Sequence, residues 1–379
     1  MVSKPVAGKR VFVHVGVPKS GTSFLQAGLW QNRKRLRSLG VLHPAQYPAQ
    51  IRHATLEVLG TEKQWGYAPG SFDGSWAGIC QRARRFDGSS IISNELLASA
   101  TPEQVRRSLA ELDGTELHIV VTARDMARQL PAAWQQRVRQ GGRDSFADFL
   151  DRNLDSGRHP VKARGFWMRQ DVPGVLARWG AGLPAEHVHL VTNPPSGSAP
   201  TVLWGRFLSV LGIAPDTVEL PTGQANSSLG ITAIEVLRRL NGVLRRSEHP
   251  RLYGRMVDGY LVDRLRQDPS ARPNTPASLI PRFQETGRQW VAAIEDAGYD
   301  VVGDLSELVA ADTTREDVES DRVTSEDALD VAVATIGELL QEIDRLRTEG
   351  SPMRKLASRL PDRSGVRRVA FEVERSLRR

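Results

Sequence analysis

Residues 11–25, VFVHVGVPKSGTSFL, constrain this chain more than any other stretch. Arg10–Val17 is almost continuously apolar and reads as a buried strand. Gly16 and Gly21 then bound a short loop. From Thr22 the leucines at 25, 29, 36 and 39 fall within one narrow arc at about 3.6 residues per turn, which predicts a helix over Thr22–Leu39 with Gly40 as its C-cap. A buried strand that passes through a tight glycine loop into an amphipathic helix is the opening of a βαβ unit, which implies a parallel sheet with helices on its faces.

The rest of the chain keeps that rhythm. Ser89–Ser93, Leu117–Thr122 (LHIVVT) and His187–Thr192 (HVHLVT) read as further strands. Thr101-Pro102-Glu103-Gln104 has the form of a capping box with proline at N1, so a helix runs from there towards Leu112 and stops at Asp113-Gly114. The expected fold class is α/β, a three-layer arrangement with a parallel central sheet flanked by helices.

The charge is unevenly placed. Residues 1–294 hold 38 Lys+Arg against 24 Asp+Glu, whereas 295–330 hold 2 against 13. The basic excess suits an anionic ligand such as a nucleotide, and an arginine-rich solvated surface explains it equally. A nucleic-acid partner is not expected, because no basic stripe is interleaved with aromatics. Cys80 is the single cysteine, so there is no internal disulfide. No apolar segment precedes the first strand or is long enough to span a bilayer, which sets a cytoplasmic expectation with no integral membrane segment.

The opening loop has the Walker glycine spacing, G-x-x-x-x-G, but Thr22 follows the second glycine and the lysine, Lys19, lies inside the loop. The amides of Ser20, Gly21, Thr22 and Ser23 at a helix N-terminus still form an anion cradle. Lys19 approaches from the crest of the loop, where it can meet the bridging oxygen of a leaving phosphate.

The string Pro18-Lys19-Ser20-Gly21-Thr22-Ser23 after a strand resembles the 5′-phosphosulfate loop of sulfotransferases that use 3′-phosphoadenosine 5′-phosphosulfate (PAPS). That family carries a second strand ending in an arginine that holds the 3′-phosphate, with a serine eight residues later. Here Arg124 follows LHIVVTA, and the serine position is Ala132. Arg128 or Gln129 could supply what the missing hydroxyl does not. SFADFL, FWMRQDVPGVLARW and GYDVVGDLSEL are similar, in the same order, to segments of bacterial sulfotransferase-like proteins, so the resemblance spans about residues 10–310. It implies a P-loop-type fold, PAPS as sulfuryl donor, no metal, and a glycan or small-metabolite acceptor. Asn226–Gly230 stands where such enzymes close a loop over the cofactor, and also reads as a plain turn before a helix.

Sulfuryl transfer needs charge for the leaving phosphate, supplied by Lys19, and a base for the acceptor's proton. Glu95 leaves the Ser89–Ser93 strand at the edge where the loop and Arg124 also fall. His53 is the reserve. No metal site is expected: no close His/Cys cluster is visible, and His187 and His189 alternate as exposed edge positions would. Two other readings stay open, a P-loop kinase or NTPase and a catalytically weak PAPS-binding scaffold; Ala132 favours the latter.

Residues 311–327 read as an acidic linker and 328–349 as an amphipathic helix. In that helix Leu329, Ala332, Ile336, Leu339, Ile343 and Leu346 fit a/d positions, either packing on the domain or forming a weak dimer. Residues 350–379 form a basic tail. The aromatics Tyr47, Trp65, Tyr67, Phe72 and Trp76 are expected to build the acceptor wall.

Overall fold

The structure, a computed structural model, describes residues 9–155, 157–158, 160–222, 228–244, 253, 257, 260–312 and 323–349. Six strands form one sheet: β1 (Arg10–His14), β2 (Val41–Leu42), β3 (Ser89–Ser93), β4 (Glu116–Ala123), β5 (Val188–Thr192) and β6 (Asp300–Val302). Their order is β2-β3-β1-β4-β5-β6, and every pair is parallel. The fold is therefore α/β, with a parallel central sheet between two helical layers.

The helices, in chain order, begin with α1 (Thr22–Gln31), α2 (Arg33–Ser38), α3 (Gln50–Leu59), α4 (Ser75–Arg85), α5 (Pro102–Ala110) and α6 (Met126–Arg139). They continue with α7 (Phe146–Leu154), α8 (Pro160–Gln170), α9 (Val172–Trp179), α10 (Pro200–Val210), α11 (Ile231–Val243), α12 (Ile280–Ala297) and α13 (Ser325–Glu349). Strand alternation assigns them to layers. Val11, Val13, Ile119 and Val121 point into a large core with α3–α9, α11 and α12, whereas Phe12, Ile91, Val120 and Val191 meet Leu25 and Leu29 of α1, Leu36 of α2 and Trp204 and Phe207 of α10. Burial on both faces is why these strands lack polar alternation.

The predicted helix Thr22–Leu39 is broken at Asn32. Its Nδ2 donates to Gly28 O at 3.0 Å and Glu219 O at 2.9 Å, and its Oδ1 accepts from Glu219 N at 2.9 Å. A distant backbone segment thus captures the side chain and divides the helix. The first strand ends at His14, short of the expected Val17, because Gly16 at φ 40 breaks the extended backbone, although Val15 N and Val17 N still donate to Val120 O and Thr122 O. The capping box at Thr101 forms with both reciprocal bonds.

Helix α13 starts at Ser325, ahead of the expected 328, because Thr324 and Asp327 cap it reciprocally. It buries Ala328 and Thr335, while Leu329, Ile336, Ile343 and Leu346 of the expected seam lie exposed together with Val333 and Leu340. Residues 313–322 of the acidic linker, the tail 350–379, Asn226 and Ser227 lie outside the described residues. Among the described residues no helix is long and apolar enough to cross a membrane.

The expectation that His187 and His189 occupy an exposed edge is corrected. β5 lies between β4 and β6, and His189 is buried, bonded through Nε2 to His118 Nδ1 at 2.9 Å and through Nδ1 to Asp300 Oδ2 at 2.6 Å. His187 sits in the short turn before β5. A histidine cluster does exist: Glu116, His118 and His187 bring one ligand atom each within 4.8 Å of one another.

Candidate functional site

In a sheet of this kind the crevice opens at the carboxyl ends of the strands, where connections leave in opposite directions. Here β1 feeds α1 and then strands on one side, while β4 and β5 extend the sheet on the other. A cleft of about 2110 Å³ occupies that edge, lined by Lys19, Gly21, Thr22 and Ser23 after β1, Glu95 after β3 and Arg124 after β4.

The loop is held in a conformation that few side chains tolerate. Gly21 has φ 84 and serves as N-cap of α1 without a capping side chain, and Lys19 is the one non-glycine residue with positive φ among the described residues. A Cβ at Gly21 would lie 2.5 Å from Leu203 Cδ2. Gly21 accepts from Phe24 N and Leu25 N, whereas the amides of Gly21, Thr22 and Ser23 have no acceptor among the described residues. They are open donors at a positive helix end.

Ser20 departs from the expected cradle. Its side chain is buried, donating to Val17 O at 2.7 Å and meeting Thr122 Oγ1 at 2.7 Å, and its amide turns to Val17 O at 3.3 Å. It is the end of a buried polar chain: His14 Nε2 lies 3.1 Å from Thr122 Oγ1, and His14 Nδ1 lies 2.7 Å from Ser93 Oγ. A carbonyl only accepts, so Ser20 donates to Val17, Thr122 to Ser20 and His14 Nε2–H to Thr122. Burial pushes His14 down to about 3, so the imidazole is neutral and its Nδ1 accepts from the Ser93 hydroxyl. The chain ties the loop to the end of β3, next to Asn94 and Glu95.

Lys19 and Arg124 share the floor of the cleft. Burial first, then Arg139 and Arg124, lower the Lys19 ammonium to about 8, with Glu95 acting in the opposite sense. Its Nζ donates to Gln136 Oε1 of α6 at 3.5 Å, and it makes no ion pair among the described residues. Arg124 is lowered to about 10 by burial and then by Arg128, and stays charged at neutral pH. Its Nε donates to Gln129 Oε1 at 2.8 Å. The adjacent Asp125 pairs with Arg128 instead, and Arg124 makes no ion pair among the described residues.

Neither substitute considered for the missing serine is free. Arg128 is fixed by Asp125 and by the carbonyls of Pro194 and Asn193, and the Nε2 of Gln129 donates to Pro18 O and Gln170 Oε1. Ala132 itself lines the cleft.

Glu95 stands at the cleft as expected. Asn94 Oδ1 caps its short turn by accepting from Leu96 N, and Gln26 Nε2 donates to Glu95 Oε2 at 2.7 Å, orienting the carboxylate. His53 lies elsewhere, stacked on Phe72 at 4.1 Å and 3.3 Å from Tyr47 Oη, outside the cleft lining. Tyr47, Tyr67 and Phe72 join that cluster and Trp76 is buried in the core, so of the expected acceptor wall Trp65 alone reaches the cleft, beneath the Arg52 guanidinium.

Sequence reasoning missed Gln26 and Gln136, whose amides meet Glu95 and Lys19, and Arg169, a cleft cation with no ion-pair partner among the described residues; it named Gln129 as a stand-in for the serine, not as the group that orients Arg124. Gln26, four residues after Thr22 on α1, had a readable signal, since i and i+4 share a helix face. Comparison with protein families, with curated proteins and with solved structures finds no match for this chain.

Proposed function

We propose that this chain is a sulfotransferase of P-loop-type fold that moves a sulfuryl group from PAPS to a hydroxyl or amine of a glycan or small metabolite. One observation carries the reading: Lys19 and Arg124, two cations that have no carboxylate ion pair among the described residues, flank the open amides of Gly21, Thr22 and Ser23 in one cleft. Three kinds of anion donor at one site suit a ligand with separated phosphate groups better than a single small anion.

In this reading the amides and the end of α1 hold the 5′-phosphosulfate, and Arg124, aligned by Gln129, holds the 3′-phosphate. As the acceptor oxygen bonds to sulfur, the bond from sulfur to the bridging oxygen breaks and its electron pair stays on the phosphate. Lys19 meets the charge that grows there. Glu95, oriented by Gln26, takes the acceptor's proton. His14 and Ser20 keep the loop in place from beneath.

Calorimetry with PAP (the desulfated cofactor) and with ATP, both in EDTA, tests the reading. PAP should bind better than ATP and need no divalent metal. A preference for ATP with a magnesium requirement would install the P-loop kinase or NTPase reading. PAP binding with no transfer of labelled sulfate to any hydroxylated acceptor would leave the binding scaffold, which Ala132 favours.

A further inference from the structure

At the opposite, amino-terminal edge of the sheet, a second polar cluster has no part in the proposed transfer. Glu116 opens β4, His118 follows two residues later with its ring on the same face, and His187 precedes β5. The parallel pairing of β4 and β5 brings them together although the chain separates His118 from His187. His118 is buried, with its ring stacked on Phe12 at 4.7 Å and lying 4.3 Å from that of His187.

The hydrogen bonds give this cluster a direction. The Asp300 carboxylate accepts, so His189 donates Nδ1–H across 2.6 Å. His189 Nε2 lies 2.9 Å from His118 Nδ1, which ties that ring to the Asp300-backed histidine. The remaining nitrogen, His118 Nε2, is hydrogen-bonded to Glu116 Oε1 at 3.0 Å, on the side where His187 also brings a ligand atom. A divalent cation bound there takes the place of the proton between His118 and Glu116. A histidine that donates its other ring N–H to an acid-backed partner is also what metal-bound imidazoles show.

We propose that Glu116, His118 and His187 form a binding site for a borderline divalent cation of the Zn2+ class, with His189 and Asp300 orienting His118. Two imidazoles and one carboxylate suit Zn2+, Co2+ or Ni2+ and not Mg2+ or Ca2+, which take oxygen ligands. Three protein ligands leave a fourth tetrahedral position for water. The ligand atoms, now within 4.8 Å of one another, close to the roughly 3.3 Å of a tetrahedral edge by rotation of Glu116, whose side chain is 45% exposed, and of the half-buried His187. A bound cation would staple β4 to the start of β5, far from the cleft.

The test uses the untagged full chain, stripped with chelator and dialysed, then titrated with ZnCl2 by calorimetry near neutral pH. One saturable site is expected, not displaced by excess Mg2+, with a melting temperature that rises with Zn2+. His187→Ala, on the half-buried turn, should weaken binding at least about tenfold, and Asp300→Asn should weaken it less. Co2+ in place of Zn2+ should give visible tetrahedral absorption that His187→Ala abolishes. No saturable binding by the wild type, or undiminished binding in both His187→Ala and Glu116→Ala, overturns the proposal. Binding at an unrelated surface site counts as the second of these outcomes.

Discussion

Gln129 accepts from Arg124 Nε at 2.8 Å while its own amide donates to the Pro18 carbonyl of the glycine loop, so a single side chain holds the arginine and the loop in register. Arg124→Ala should remove recognition of a 3′-phosphate. Wild type should prefer PAP to 5′-AMP by about tenfold or more, the factor set by about 1.4 kcal/mol, and the variant should bind both alike. Gln129→Ala keeps the guanidinium but frees it, so the preference should shrink without vanishing. Equal discrimination in wild type and Arg124→Ala, measured by calorimetry, removes Arg124 from the site.

Lys19 predicts a pH dependence. Burial and its arginine neighbours lower the ammonium from 10.5 to about 8, so it loses its proton as pH rises through that value. Anion binding favours the protonated form. PAP affinity should therefore be flat between about pH 7, above the second phosphate pKa, and about pH 8 and fall above it, by up to about tenfold per pH unit, with proton uptake on binding visible in buffers of different ionisation enthalpy. Lys19→Met should abolish the inflection and lower kcat by a factor on the order of 10²–10³.

Glu95→Gln preserves the shape of the side chain and removes the base. PAP binding should persist while sulfuryl transfer falls roughly 10²–10⁴-fold. Gln26→Ala, which leaves the carboxylate but not its orienting donor, should give a smaller loss in kcat with little change in cofactor affinity. Full activity in Glu95→Gln would move the search for the base elsewhere, and His53→Ala then shows whether the reserve candidate carries it.

His14 predicts acid sensitivity. Burial lowers it from 6.5 to about 3, so between these values the unfolded chain binds a proton that the folded chain refuses. Stability is fully present above about pH 6.5 and is lost as pH falls, with a slope of up to about 1.4 kcal/mol per pH unit from this group. His43, lowered to about 4, adds to it with the same sign. Urea unfolding at several pH values should show the decline well before the carboxylates titrate. His14→Ala should flatten it in part, at a cost of roughly 1–3 kcal/mol near neutral pH because the Ser93 and Thr122 hydroxyls lose their partner. A wild-type stability that does not change between about pH 6.5 and pH 5 contradicts this account of His14.

Much of the site was legible because it rests on local rules. Apolar runs mark buried strands, glycines mark the loop, and a capping box marks the start of α5; residues just past strand ends then share one edge of a parallel sheet. Lys19, Thr22 and Glu95 follow from that logic, Arg124 was reached through the resemblance, and each lines the cleft. Ser20 does not. Its position in the loop was plain, but its inward turn depends on Thr122, 102 residues away.

What the tertiary structure decided are the partners, and these depend on strand order, which no local pattern encodes. β6 comes from residues 300–302 to cover β5, and this alone turns His189 from an expected edge residue into a buried link between His118 and Asp300. Asn32 divides a continuous leucine arc because Glu219, 187 residues away, offers both a carbonyl and an amide. Helical period and turn propensity act over a few residues of chain. The pairing of buried polar groups acts across space, between segments that the sequence lists far apart, and only the packed sheet brings them within hydrogen-bonding distance.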